Sequence, residues 1–228
     1  MTPERCPLCE SARTAAFNRS AGRTFIRCAD CALVFVSRSE LPPPEVEKAR
    51  YTLHRNNPRD SGYRRFLSPM KDALLSATAE GAVGLDFGCG PGPALAHMLH
   101  EEGRVITLYD PFFAPDEAVW SSTYDFIVAA EVFEHLHRPA FELDRLFAAL
   151  RPGGVPGVIT GFAHDTADEF AQWHYIRDPT HVCFFSRRTF ASIATRWRAA
   201  ARFPAHHIAL LVRTGRGDAC AAADGSRA

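Results

Sequence analysis

Val83-Gly-Leu-Asp-Phe87, followed at once by Gly88-Cys-Gly-Pro-Gly92, is the stretch on which the fold turns. Five mostly apolar residues are too few for a helix and read as a buried strand, and the apolar pattern from Pro93 to Glu102 predicts a helix after the glycines. Glycines between a strand and a helix let the backbone approach a ligand at the helix N-terminus, where free amides point outward. A dinucleotide-binding fingerprint fits poorly, because position 93, where its third glycine would stand, is proline.

Working outward, Arg104 to Tyr109 reads as the next strand, and it ends in Asp110. A carboxylate about twenty residues beyond Gly90, at the end of the second strand, is placed to accept hydrogen bonds from both hydroxyls of a ribose. Tyr124 to Ala130 reads as a strand buried on both faces. Ala140 to Leu150 reads as a helix, Arg151-Pro-Gly-Gly154 as a turn, Val155 to Thr160 as a strand and Arg187 to Trp197 as a helix. Phe203 to Val212 could supply a final antiparallel hairpin, broken at Pro204 or at His206-His207. Strands alternating with helices in this way predict an α/β fold with a doubly wound sheet.

The order Asp86-x-Gly88-x-Gly90-x-Gly92 resembles motif I of class I S-adenosylmethionine (SAM) dependent methyltransferases, and the resemblance spans residues 83 to about 212. It implies a Rossmann-like sheet of strand order 3-2-1-4-5-7-6 with the last strand antiparallel. It also implies SAM as cofactor. In that family the glycine turn, here Gly88, Cys89, Gly90 and Gly92, lies under the methionine part of the cofactor, and the acid at position 86 helps to hold its amino group. Asp110 and Pro111 would meet the ribose, with Ala130 and Glu131 nearby. The stretch from Asp110 to Tyr124 is short for the helix and third strand that the family places there, which points to an abbreviated sheet edge and leaves the adenine contacts unassigned.

Glu131-Val-Phe-Glu134-His135 follows the buried strand. On a helical turn Glu131, Glu134 and His135 would stand at i, i+3 and i+4, on one face. Together with the downstream His181 they resemble the divalent-metal site of the small-RNA 2′-O-methyltransferases and the ubiquinone-pathway O-methyltransferases, in which Mg2+, Mn2+ or Fe2+ activates an acceptor hydroxyl. The alternative is a generic post-strand segment with Glu131 near the cofactor, His135 at most a general base and His181 packed in a loop. Tyr51, Tyr63, Trp173 and Tyr175 are the candidate aromatic walls of an acceptor cleft.

At the N-terminus, Cys6-Pro-Leu-Cys9 and Cys28-Ala-Asp-Cys31 form two C-x2-C knuckles at the spacing of a four-cysteine zinc ribbon. Four thiolates fill a tetrahedral shell, so the expected Zn2+ is structural, standing in for a core that so short a segment cannot build. The expected organisation is a ribbon over residues 1–41, a helical linker over 42–80 with helices at about 45–54 and 63–78, a methyltransferase domain over 81–214 and a disordered tail over 215–228.

Twenty-six basic and twenty-six acidic residues leave no global field to attract a polyanion. A small-molecule or glycan-like acceptor is therefore favoured. An RNA or tRNA methyltransferase that grips nucleic acid with the ribbon is an alternative, and a non-catalytic partner-binding protein is a second. No apolar run is long enough to span a bilayer and the N-terminus lacks a secretory apolar stretch, so the expected location is the cytoplasm, without a membrane partner.

Overall fold

The computed structural model describes residues 4–53 and 57–214; the expected disordered tail lies outside them. The chain opens with a hairpin of β1 (Thr14–Ser20) and β2 (Arg23–Cys28), and β3 (Val34–Val36) extends it. Helix α1 (Pro44–Tyr51) starts on a proline whose missing N–H costs nothing at that position. Helix α2 (Ser61–Ala77) is capped by the Asp60 side chain, which accepts from the Tyr63 amide at 2.7 Å. Its Leu67, Met70 and Leu74 are fully buried, one face at helical spacing.

The central sheet begins with β4 (Val83–Phe87), α3 (Ala94–Glu101), β5 (Val105–Tyr109) and β6 (Tyr124–Ala130). It continues through α4 (Pro139–Ala148), β7 (Leu150–Ile159) and the short α5 (Ala167–Gln172). Then come the two-residue β8 (Cys183–Phe184), α6 (Arg187–Arg196), β9 (Ala199–Ala205) and β10 (Ile208–Arg213). Six of these strands form one sheet in the order β5-β4-β6-β7-β10-β9. The first four are parallel, and β10 runs antiparallel to both neighbours. This is the Rossmann-like class I order without its third strand: between Asp110 and β6 the chain makes only a 3-10 turn at Glu117–Ser121.

The sheet is covered on both faces because alternate residues of a strand point opposite ways. Phe126 and Val128 face a cluster with α2 and α3, whereas Ile127 and Ala129 face a cluster with α4 and α6. Gly84 is required by this packing, since a Cβ there would lie 2.2 Å from the Phe126 ring. The Arg151-Pro-Gly-Gly154 segment is a bulge at the start of β7, where the register passes from Tyr124↔Leu150 to Phe126↔Val155.

One feature was not foreseen. β8 pairs antiparallel with β3, so the N-terminal sheet has the order β1-β2-β3-β8 and takes its fourth strand from a segment late in the chain. Cys6, Cys28, Cys31, Leu33 and Phe35 share a core with Phe147, Phe185 and Phe190. Among the described residues no helix is long and apolar enough to cross a membrane.

Candidate active site

The glycine turn sits at the carboxyl end of β4. Gly88 has φ of 76°, and a Cβ on it would lie 2.5 Å from Val132. The amides of Gly88 and Cys89 donate to the Tyr109 carbonyl, which locks the turn to the end of β5. Asp110 ties in the rest: one carboxylate oxygen accepts from the Gly90 amide at 3.0 Å, and the other from the amides of Phe112 and Phe113. Asp86 lies beneath the turn, 4 % exposed. Burial and the neighbouring Asp110 push its carboxyl up to about 7, while the Ala96 amide steadies the charged form.

Above the turn opens a cleft of about 740 Å³, inside the range of small-molecule sites. Gly88, Gly90, Asp110, Pro111, Ala130, Glu131, His135, His181, Tyr51 and Tyr63 all line it. Asp86, Cys89, Gly92 and Glu134 are not among its lining residues. Nor are Trp173 and Tyr175, the candidate acceptor walls: Trp173 stacks on Tyr175 at 4.7 Å and packs against Phe170 and Phe184. The inner end carries the carboxyl groups of Asp86, Asp110 and Glu131. Tyr63 is pushed up to about 12 by burial and by the charges of Asp86 and Glu131. A glycine turn that lets a ligand approach its backbone closely, beside carboxyl groups that can accept from hydroxyls and face a cationic centre, fits a ligand such as SAM.

The second half of the site is built on Glu131 to His135. The expected helical face does not form as an α-helix. Glu131 is left-handed, with φ of 55°, and only a single 3-10 turn, Phe133–His135, follows before the chain extends again at Leu136. The reversal puts Glu134 in the protein interior, 0 % exposed, where one oxygen accepts from Thr160 Oγ1 at 2.9 Å and the other from the Tyr175 hydroxyl at 2.5 Å. The same hydroxyl lies 3.3 Å from Glu131 and accepts from the Gly161 amide. Burial and the adjacent Glu134 push Glu131 up to about 8.

Two imidazoles complete the group. His135 Nδ1 lies 3.0 Å from the Thr180 carbonyl and His181 Nδ1 lies 2.8 Å from the Tyr175 carbonyl. A carbonyl only accepts, so each Nδ1 carries its proton and donates it. Burial pushes His181 down to about 4, which keeps it neutral. The rings are 4.8 Å apart, and one donor atom each from Glu134, His135 and His181 lies within 4.8 Å of the others. Glu131 is outside that group of three.

Sequence reading named only Tyr51 at the mouth of the cleft. Helix α1, which ends in Tyr51, lies across it, with Glu47 accepting from His137 Nε2 at 2.9 Å and Arg50 paired with Asp178 at 2.8 Å. Phe112 and Phe113 line it as well. Beyond Tyr51 the sequence signal is the apolar dipeptide Phe112-Phe113; the rest of α1 reads as a polar surface helix. In the N-terminal module, Cys6, Cys9, Cys28 and Cys31 converge, with Cys6–Cys31 and Cys9–Cys28 sulfur distances of 3.5 Å.

A family model described as a methyltransferase domain matches residues 59–197. No curated protein matches the sequence. Among solved structures, an O-methyltransferase family protein from Burkholderia thailandensis aligns with a TM-score of 0.54 at 16 % identity, over 78 % of this chain and 66 % of that one. The 1,6-didemethyltoxoflavin-N1-methyltransferase of the same organism, solved with 1,6-didemethyltoxoflavin and S-adenosylhomocysteine, aligns with a TM-score of 0.54 at 17 % identity, over 82 % of this chain and 97 % of that one.

Proposed function

The chain belongs to the methyltransferase domain family, and on that premise we propose that it moves the methyl group of SAM to a hydroxyl oxygen of a small-molecule or sugar-like acceptor, assisted by a divalent cation. The observation that carries this reading is the pair of imidazoles pinned through Nδ1, each offering one ring nitrogen within 4.8 Å of the other and of the buried Glu134 carboxylate.

When bound, SAM supplies an electrophilic methyl on a positively charged sulfur. The acceptor oxygen forms the new bond to that carbon as the carbon–sulfur bond breaks, and the electron pair stays on a sulfur that becomes neutral. No protein nucleophile is needed; the residues align donor and acceptor and remove the acceptor proton. Asp86 and Glu131 oppose the positive charge of the donor, and Asp110 serves the ribose hydroxyls.

An oxygen and two imidazole nitrogens with an open side suit Mg2+, Mn2+ or Fe2+, which would lower the pKa of an acceptor hydroxyl. Glu134, His135 and His181 would hold the ion. Tyr175 and Thr160 orient the Glu134 carboxylate, and the Thr180 and Tyr175 carbonyls fix the two rings, as the partners of metal ligands do. The four cysteines would hold a structural zinc, and among the described residues no fifth His, Cys, Asp or Glu joins their cluster. Equal numbers of basic and acidic residues leave no global field to attract a phosphate-rich acceptor such as RNA.

The test is methyl transfer from labelled SAM to a panel of polyhydroxylated and phenolic acceptors, with and without strong chelator. Product with the label on oxygen, lost on chelation and restored by Mg2+ or Mn2+ while the domain stays folded, supports the reading. Full activity in chelator removes the cation and leaves His135 and His181 as bases; label on nitrogen or carbon alone removes the oxygen acceptor.

A further inference from the structure

Arg23 opens β2 at the tip of the N-terminal hairpin, and it is buried. Its guanidinium donates to four carbonyls of one loop: Nη1 to Pro179 at 3.1 Å and His181 at 2.8 Å, Nη2 to Ile176 at 2.5 Å and Asp178 at 2.8 Å. That loop begins directly after Tyr175 and ends in His181, so one side chain fixes the whole path between two members of the site. A buried cation is costly unless its donors are satisfied, and here they are satisfied by the backbone of this one segment. The planar fork of arginine can serve several carbonyls at once; the single point charge of lysine cannot.

A second thread ties the same sheet to the site. Val36 on β3 donates to the Val182 carbonyl at 2.9 Å, and the Val182 amide donates to the Glu134 carbonyl at 2.7 Å. Both the Arg23 peg and this ladder start from strands that continue into the Cys28 to Cys31 knuckle.

We propose that Arg23 is a positioning residue for the acceptor site: through the carbonyls of Ile176 to His181 it holds the His181 ring in place, so that the cysteine module braces the site from within. The inference rests on the reading of Glu134, His135 and His181 given above for its functional meaning, and its test separates the two.

Full-length protein labelled with 15N-histidine would be made as wild type, Arg23→Lys, Arg23→Ala and Arg196→Lys. The last is a control that loosens another contact of the same module, from Arg196 to the Leu8 carbonyl at 2.6 Å, without touching the loop. The readouts are the His181 ring signals by NMR and Mn2+ binding by paramagnetic resonance. Arg23→Lys should shift the His181 Nδ1–H signal, speed its exchange with water and weaken Mn2+ about tenfold or more. Zinc content should be unchanged and SAM affinity should stay within about twofold, as expected for a distant site. Arg196→Lys should lower thermal stability and leave those ring signals in place. Wild-type His181 signals in both Arg23 variants, or an equal shift in Arg196→Lys, would overturn the proposal. Should Arg23→Ala fail to fold, Arg23→Lys decides alone. Should the wild type bind no Mn2+, the cation reading falls while the ring signals still decide on Arg23.

Discussion

The cysteine cluster and the Glu134–His135–His181 cluster each bring their donor atoms within 4.8 Å of one another, yet they are built in opposite ways. The first takes four thiols from two knuckles of one short hairpin and closes on itself. In it Cys6 is pushed down to about 6 by hydrogen bonding from the Cys31 thiol, which is itself pushed up. The second takes three groups from two distant segments, leaves one side open to a cleft and is held by backbone carbonyls. A closed shell of four suits a structural ion and an open shell of three suits chemistry. Under the proposed function, the local cluster is the support and the dispersed cluster is the tool.

The sharpest way to break this contrast is to remove a thiol. Cys31→Ser should lower stability by about 4 kcal/mol or more, because the N-terminal sheet shares β8 and a core with the rest of the chain. Thermal unfolding followed by circular dichroism checks this; a main transition that does not move would make the module an independent appendage.

The open cluster should respond in activity. Glu134→Gln should cut kcat by about a hundredfold, in line with the loss of a metal ligand or its partner, with SAM affinity nearly unchanged. Glu134→Ala should additionally destabilise by about 1–3 kcal/mol, since it strands the Thr160 and Tyr175 hydroxyls. A kcat that survives both would move the chemistry elsewhere.

Asp86 sharpens the comparison from the cofactor side. Its folded pKa is raised from 3.8 to about 7, so its contribution to stability is fully present below its ordinary value and is lost as pH rises through about 7. Glu131, raised from 4.5 to about 8, acts in the same direction. Melting of the ligand-free protein should fall between pH of about 4 and about 8, Asp86→Asn should flatten the fall, and SAM should bind that variant about tenfold more weakly. The smallest effect is expected at the mouth: His137→Ala, which frees Glu47 on α1, should raise acceptor KM about threefold with kcat held, worth less than about 1 kcal/mol, as for a partly exposed pair.

The sheet and its cofactor turn were legible in the sequence because their signals are contiguous. β4 with its glycines, Asp110 at the end of β5 and the apolar β6 each declare themselves within ten residues. The rest depends on contacts between distant segments. β8 is two residues long, too short to carry any pattern, yet it adds a late segment of the chain to the N-terminal sheet. Trp173 and Tyr175 have the composition of a binding wall, but the core around Phe184 takes the first and the Glu134 carboxylate the second. Glu131, Glu134 and His135 were read at helical spacing. The left-handed Glu131 and the tight turn after it instead send Glu134 inward and leave Glu131 and His135 on the cleft. The role of Arg23 is invisible in sequence, since nothing local distinguishes it from a surface arginine.

The most direct test of the central claim is isothermal titration of SAM into the full-length protein, paired with elemental analysis before and after mild chelation. The account predicts one SAM bound with micromolar affinity, one retained zinc and a second, removable divalent ion whose loss abolishes methyl transfer. No heat of SAM binding up to millimolar concentration would contradict it.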